Sequence, residues 1–149
     1  KKTLGDVGEF TRGGNFTKSD FVSDGIPCIH YGQIHMHFGV ATEIPLSYLP
    51  NNFPKIKYAQ KGDLIIAITS EDDEGSCKCT AWLGDKNVAV GGHIAVFHHS
   101  LDSKFMSYYF KSYLTTFHGT YNKRTAMTGP IGSMARDYGD SPDFTHSVW

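Results

Sequence analysis

The sequence predicts an α+β fold with a mixed, mainly antiparallel sheet, short helices and one amphipathic helix near residues 103–118. Apolar runs of strand length come first along the chain, and apolar residues at helical spacing appear only after them. Strands and helices therefore do not alternate as they would in a repeated βαβ array. We expect a single domain over residues 1–149, with an irregular tail from about residue 120.

The strongest strand follows the turn at Gly62-Asp63, where "LIIAIT" forms an unbroken apolar run. Such a run suits a strand that is buried on both faces. "NVAV" and "HIAVF" predict two more strands, which are separated at Gly91-Gly92. Earlier in the chain, "GIPCIHYGQI" is typical of a strand, with Ile26, Cys28 and Tyr31 as candidate core residues.

The helix prediction depends on apolar residues that recur three and four positions apart in "SKFMSYYFKSYLTTFHG". These residues are Phe105, Met106, Tyr109, Phe110, Tyr113 and Phe117. Asp102 or Ser103 can cap the amino end, and Gly119 lies where a helix often ends in glycine.

The remaining segments are predicted as loops. Arg12-Gly13-Gly14-Asn15 has loop composition, and Thr17 or Ser19 can cap a short helical turn after it. Prolines at three positions between residues 45 and 54 limit any helix there to one or two turns.

Composition excludes several classes of protein. Of 149 residues, 40% are hydrophobic and 13% aromatic, which indicates a folded domain and not a disordered chain. The net charge of −1 excludes general attraction of polyanions, so nucleic-acid binding would need local clusters of cations. No apolar run approaches the roughly 18 residues of a membrane span. Three cysteines, an odd number, favour a reducing compartment, and we expect a cytoplasmic location.

Metal and catalytic motifs are weak. Cys77 and Cys79 are one residue apart, whereas paired zinc ligands usually have two to four residues between them. The acidic block at residues 71–74 lacks the ligand spacing of a calcium loop, and no nucleophile or nucleotide-binding motif is present. We therefore expect no metal, no cofactor and no catalytic residue. The alternative is a stand-alone metal-binding enzyme or small-molecule binding module that uses His35, His37 and the cysteines.

Candidate DNA-binding side chains occur in several loops. Arginine, lysine, glutamine and asparagine hold phosphates or contact base edges. The candidates are Arg12, Asn15, Lys18, Gln33, His35, Lys123 and Arg124. Composition alone does not separate them from ordinary surface residues.

Several ordered motifs give the sequence a more specific likeness. They are "LGDVGEFTRGGNFTKSDF", "GIPCIHYGQIH", "KGDLIIAITSEDDEGSCKCTAWLGDKNVAVGGHIAVFHH" and "SKFMSYYFKSY". In this order they resemble a target recognition domain from the DNA-specificity subunit of a type I restriction–modification system, a bacterial defence system. The likeness covers roughly residues 3–118. After Gly119 the chain departs from the family, because the usual helical spacer does not follow; this indicates one recognition domain without its spacer, or a variant or truncated subunit.

The resemblance implies a non-catalytic protein that binds double-stranded DNA at a specific sequence. It implies modification subunits that methylate adenine with S-adenosylmethionine, a restriction subunit that cleaves DNA, and a second recognition domain as partners. It also implies that the strand from Leu64 is a scaffold element, and that the acid- and cysteine-bearing loop after it has no catalytic role.

Overall fold

The computed structural model describes residues 8–67 and 78–117, with residues 111–117 described by their backbone alone. The strands of this part are β1 (Gly8–Arg12), β2 (Ile26–Ile29), β3 (Ala41–Thr42), β4 (Ser47–Leu49), β5 (Tyr58–Ala59), β6 (Leu64–Ala67), β7 (Cys79–Trp82), β8 (Val88–Val90) and β9 (Ile94–His99). The α-helices are α1 (Tyr31–Met36) and α2 (Ser103–Phe117), and a 3-10 turn spans Lys18–Asp20. In this part of the chain, no helix is both long enough and apolar enough to cross a membrane.

The described strands form two sheets. The larger has the order β1-β9-β6-β7-β3, and the smaller has the order β4-β2-β8-β5. Neighbouring strands are antiparallel except for β3 with β7 and β2 with β8, which are parallel. The predicted α+β fold with a mixed, mainly antiparallel arrangement is thus confirmed.

Strand β6 is buried on both faces, as its unbroken apolar run predicted. Leu64 and Ile66 pack in one cluster with Phe110 of helix α2. Ile65 and Ala67 point to the other face and pack in a second cluster, because successive side chains of a strand alternate. This second cluster also contains side chains from β2, α1, β8 and β9, so it joins the two sheets.

Helix α2 begins as the sequence predicted. The backbone N–H of Phe105 donates to Oδ1 of Asp102 at 2.7 Å, which makes Asp102 the N-cap. The hydroxyl of Ser103 donates to the carbonyl of Gly62 at 2.7 Å and fastens the helix to the turn before β6. Phe110 is 1% exposed and lies 5.8 Å from the ring of Phe97. Residue 118, Gly119 and the side chain of Tyr113 lie outside the described part.

The prediction that "GIPCIHYGQI" is one strand is wrong after Ile29, because a capped helix begins there. The side chain of His30 accepts a hydrogen bond from the backbone N–H of Gly32 at 3.1 Å. In return, Oε1 of Gln33 accepts from the backbone N–H of His30 at 3.0 Å. This reciprocal capping box satisfies two amide groups and turns the chain into helix α1. Tyr31 is accordingly half-buried at the edge of the second cluster.

The proline-bearing segment forms strand β4, which pairs with β2, and residues 44–56 contain no helix. The hydroxyl of Ser47 donates to the carbonyl of Cys28 at 3.0 Å. A third cluster lies on this side of the smaller sheet and includes Phe16, Cys28 and Leu49. The acidic block at residues 71–74 and the tail from about residue 120 lie outside the described part.

Candidate nucleic-acid interface

The chain after β1 crosses the turn between β8 and β9 at very short distance. The backbone N–H of Gly13 donates to the carbonyl of Ile94 at 2.9 Å, and that of Gly14 donates to the carbonyl of Val90 at 2.8 Å. A Cβ atom on Gly13 would stand 1.9 Å from the carbonyl oxygen of Gly91. Gly13 is therefore required because its backbone approaches another part of the same protein closely. The loop composition of this segment did not indicate that contact.

Beside this crossing lies an open cleft of about 380 Å³, which we name the Tyr31 cleft. Its lining residues come from the loop after β1, from the start of α1 and from the β8–β9 turn. They are Asn15, Phe16, Thr17, His30, Tyr31, Gly92 and His93. Phe16 is buried and fixes the loop, whereas Asn15 and His93 are exposed at the surface.

Tyr31 is the centre of an aromatic group in this cleft. Its ring centroid lies 4.5 Å from that of His30 and 5.3 Å from that of His93. The ring of His35, one helical turn further along α1, lies 6.0 Å away, edge to face. Three imidazoles thus surround one phenol ring, an arrangement that offers both polar edges and flat faces to a ligand.

The pKa of His30 reflects the electrostatic environment of the cleft. Burial lowers the pKa of His30 below its usual value, and the nearby Lys18 and His93 lower it further because both repel an imidazolium. Lys18 lies over the first turn of α1, where its Cε is 3.9 Å from the position a Cβ would take on Gly32. The positive charge of Lys18 beside the cleft favours an anionic ligand.

Gln33 is held within the fold by both ends of its amide. Its Oε1 accepts from the backbone of His30, and its Nε2 donates to the hydroxyl of Ser47 at 3.0 Å. The side chain thereby connects α1 to β4. Contact of Gln33 with DNA stays a prediction, and the side chain has a structural role that the sequence reasoning did not recognise.

His35 borders a second cavity, of about 240 Å³, on the side of α1 that faces β7 and α2. Phe38, Lys78, Cys79 and Ser107 also line it. The ammonium of Lys78 lies 3.5 Å from the carbonyl oxygen of His35. His35 therefore stands between the Tyr31 cleft and this cavity.

The structure brings some predicted site residues together. Asn15 lines the Tyr31 cleft, while Lys18 and His35 flank it. Arg12 is exposed and is the last residue of β1, opposite Ala95, so the predicted loop begins one residue later. Lys123 and Arg124 lie outside the described part of the chain.

The three aromatic ring residues Tyr31, His30 and His93 line the cleft but are not among the ligand candidates that the sequence indicates. The sequence predicts Tyr31 as a core residue. The available signal for His93 was its place directly after Gly91-Gly92 in a turn between two strands. The sequence indicates the turn, but it does not indicate the contact of the turn with Tyr31, which is distant along the chain.

The cysteines show no shared site in the described part. Cys28 is fully buried with its Sγ 3.2 Å from the hydroxyl of Ser47, and burial raises the pKa of its thiol although that hydrogen bond opposes the change. Cys79 is half-buried, 3.6 Å from the carbonyl of Ser107. Among residues 8–67 and 78–117 no group of three or more His, Cys, Asp or Glu side chains is arranged to hold a metal; Cys77 lies outside these ranges.

A chain of hydrogen bonds connects Asp63, His98 and Thr11. Nδ1 of His98 lies 2.7 Å from Oδ2 of Asp63, and Nε2 lies 2.9 Å from the hydroxyl of Thr11. The same order of groups occurs in acid–base triads. Here Thr11 and His98 are diagonal neighbours on the paired strands β1 and β9. The hydrogen bonds are therefore explained as a cross-strand contact that stabilises the edge strand β1.

Comparison with solved structures finds this fold in type I restriction–modification proteins. A structure that concerns complex assembly and conformational transition of the type I R-M system superimposes with a TM-score of 0.57 at 18% identity, covering 84% of this chain and 31% of that chain. The HsdS subunit from Thermoanaerobacter tengcongensis superimposes with a TM-score of 0.54 at 18% identity, covering 84% of this chain and 30% of the subunit. No family model and no curated protein matches the sequence.

The predicted resemblance to a type I specificity subunit is thus confirmed at the level of the fold. The chain spans about a third of the length of the solved chains that it matches.

Proposed function

We propose that this chain, which has the fold of a type I specificity subunit, is a DNA recognition component of a type I restriction–modification system. It binds double-stranded DNA at a specific sequence and catalyses no reaction itself. The observation that carries the proposal is the agreement of fold over 84% of the chain with a solved HsdS subunit. The four motif groups of the sequence, which occur in the family's order, support it independently.

The partners follow from the same assignment. Modification subunits methylate the DNA that this chain selects, and a restriction subunit cleaves DNA at the direction of the assembled complex. The family resemblance implies that two recognition domains read the two halves of a split DNA site, so we infer a second recognition domain as a further partner. That domain belongs to the same protein or to another chain of the complex.

The DNA-facing side of the domain is the Tyr31 cleft and its rim. Asn15 supplies an amide that can contact a base edge, and Lys18 supplies a cation for phosphate. Arg12 is exposed at the end of β1, directly before the loop that forms the cleft wall. A local group of this kind is what a protein with a net charge of −1 needs in order to bind a polyanion.

The test is selection of duplex DNA from a random pool by the full chain, alone and with its methyltransferase partner. We expect one short motif to be enriched, most strongly in the complex. Lys18→Ala should weaken retention of the selected duplex. Lys104→Ala is the matched control, because α2 packs on the opposite face of β6 from the cleft. Absence of any enriched motif in the complex would overturn the proposal.

A further inference from the structure

His93 has a backbone conformation that is uncommon for residues other than glycine. Its φ angle is 59°, in the left-handed region that favours glycine, although the neighbouring position 92 already carries a glycine. A side chain at such a position costs free energy that glycine would avoid. The side chain is exposed, so burial in the core does not offset this cost.

The imidazole of His93 contacts Tyr31 at the rim of the Tyr31 cleft. The ring of Tyr31 meets it edge to face at 5.3 Å. The β8–β9 turn that carries this ring is hydrogen-bonded on two sides. The N–H of Gly91 donates to the carbonyl of Ile29 at 3.1 Å. The N–H groups of Gly13 and Gly14 donate to the carbonyls of Ile94 and Val90, at the strand ends beside the turn. The backbone that carries this ring is therefore fixed by contacts within the protein.

Of the three imidazoles around Tyr31, that of His93 is the one exposed at the surface, since His30 is buried and His35 is half-buried. His30 is driven towards its neutral form by burial and by Lys18, and its Nδ1 accepts from the backbone of Gly32. The carboxylate of Asp20 accepts from the backbone N–H of Thr17 at 2.8 Å within the 3-10 turn. Lys18 lies beside the cleft, over the first turn of α1.

We propose, resting on the proposed function, that His93 is a DNA-contacting residue and that it binds a backbone phosphate as the imidazolium. An imidazolium can donate to phosphate from its exposed edge with charge assistance, which a neutral imidazole lacks. DNA binding is then linked to the uptake of a proton, and affinity rises as the pH falls through the usual range of histidine. His93 joins Asn15 and Lys18 as a third contact on the same rim.

The experiment measures DNA affinity between pH 5.5 and 8 for the full chain with its methyltransferase partner, on the selected duplex and on a scrambled one. The variant is His93→Asn, because asparagine tolerates the left-handed backbone and carries no charge. His93→Gly is a second variant that relieves the backbone strain and should behave in the same way. His37→Asn is the control, since it removes another exposed histidine.

We expect wild-type affinity to rise as the pH falls, by at most about tenfold per pH unit for one linked proton. Both His93 variants should lose this dependence and reduce the salt slope by about one. If they keep the wild-type pH and salt dependence while Lys18→Ala still weakens binding, the inference is overturned and the proposed function stands. Failure of the wild-type complex to prefer the selected duplex would overturn both.

Discussion

A Cβ atom placed on Gly13 would lie 1.9 Å from the carbonyl oxygen of Gly91. This contact joins the loop after β1 to the β8–β9 turn and so sets the spacing between Asn15 and His93 across the Tyr31 cleft. The shape of the proposed DNA face thus depends on this backbone crossing.

Replacement of Gly13 by alanine should destabilise the domain. The new methyl group must displace backbone, so we expect a loss of about 1–3 kcal/mol in the free energy of unfolding. Gly39→Ala is the matched control, because nothing lies within 4 Å of a Cβ there. Urea titration of both variants gives the comparison; equal stability of the two would show that the crossing adapts without cost.

Truncation of Phe110 to alanine should cost about 3–5 kcal/mol, because the side chain is 1% exposed and packs beneath β6. Tyr108→Ala on the same helix is the control, since Tyr108 is 59% exposed and surface changes usually stay within about 0.5 kcal/mol. Chemical denaturation measures both. A loss under about 1 kcal/mol for Phe110→Ala would mean that this face of α2 does not pack as described.

The domain should lose stability as the pH falls below about 6.5, the usual pKa of histidine in an unfolded chain. Burial lowers the pKa of His99, although Asp63 and Asp102 oppose the change. Below this pH the unfolded chain binds more protons than the folded one. The free energy of unfolding therefore decreases as the pH decreases. His30, also lowered by burial, contributes in the same direction.

His99→Asn should flatten part of this dependence. The asparagine carbonyl can replace Nδ1, which accepts from the backbone N–H of Leu101 at 3.1 Å, and it does not titrate. The measurement is the free energy of unfolding at several values between pH 5 and 8. An unchanged slope in His99→Asn would assign the acid sensitivity to other groups.

Arg12→Ala and Lys18→Ala should each weaken DNA binding in the assembled complex. If Arg12 holds a phosphate, the loss is similar for all sequences and the salt slope falls by about one. If it contacts guanine, the loss is about 1–3 kcal/mol and confined to one base position. Titrations at several salt concentrations distinguish these cases. Unchanged affinity and salt slope in both variants would mean that DNA binds to another face of the domain.

Cys28, Cys77 and Cys79 should be reduced and free of metal. Thiol titration of the unfolded protein should find three reactive groups. In the folded protein Cys28 should react slowest, because it is fully buried and its thiol pKa is raised. Chelator treatment should leave the melting temperature unchanged. A clear drop on chelation would instead favour a metal-binding protein.

Local sequence determined the elements whose apolar pattern is strong. The run from Leu64 predicted a strand buried on both faces, and the spacing around Phe110 together with Asp102 predicted helix α2 and its start. These predictions are confirmed because each apolar pattern can be buried from water in only one type of secondary structure, a strand or a helix. The break of the later strands at Gly91-Gly92 was recognisable for a similar local reason, since glycine favours turns.

Only the tertiary structure decided the candidate site. The turn from β2 into α1 depends on Gln33, whose amide is fixed from outside by Ser47, so its sequence alone resembled a continuing strand. The Tyr31 cleft joins residues near positions 15, 30 and 92, which no local pattern connects. Their proximity results from strand pairing and from the close passage of Gly13 over Gly91, and such long-range contacts depend on the packing of the whole domain.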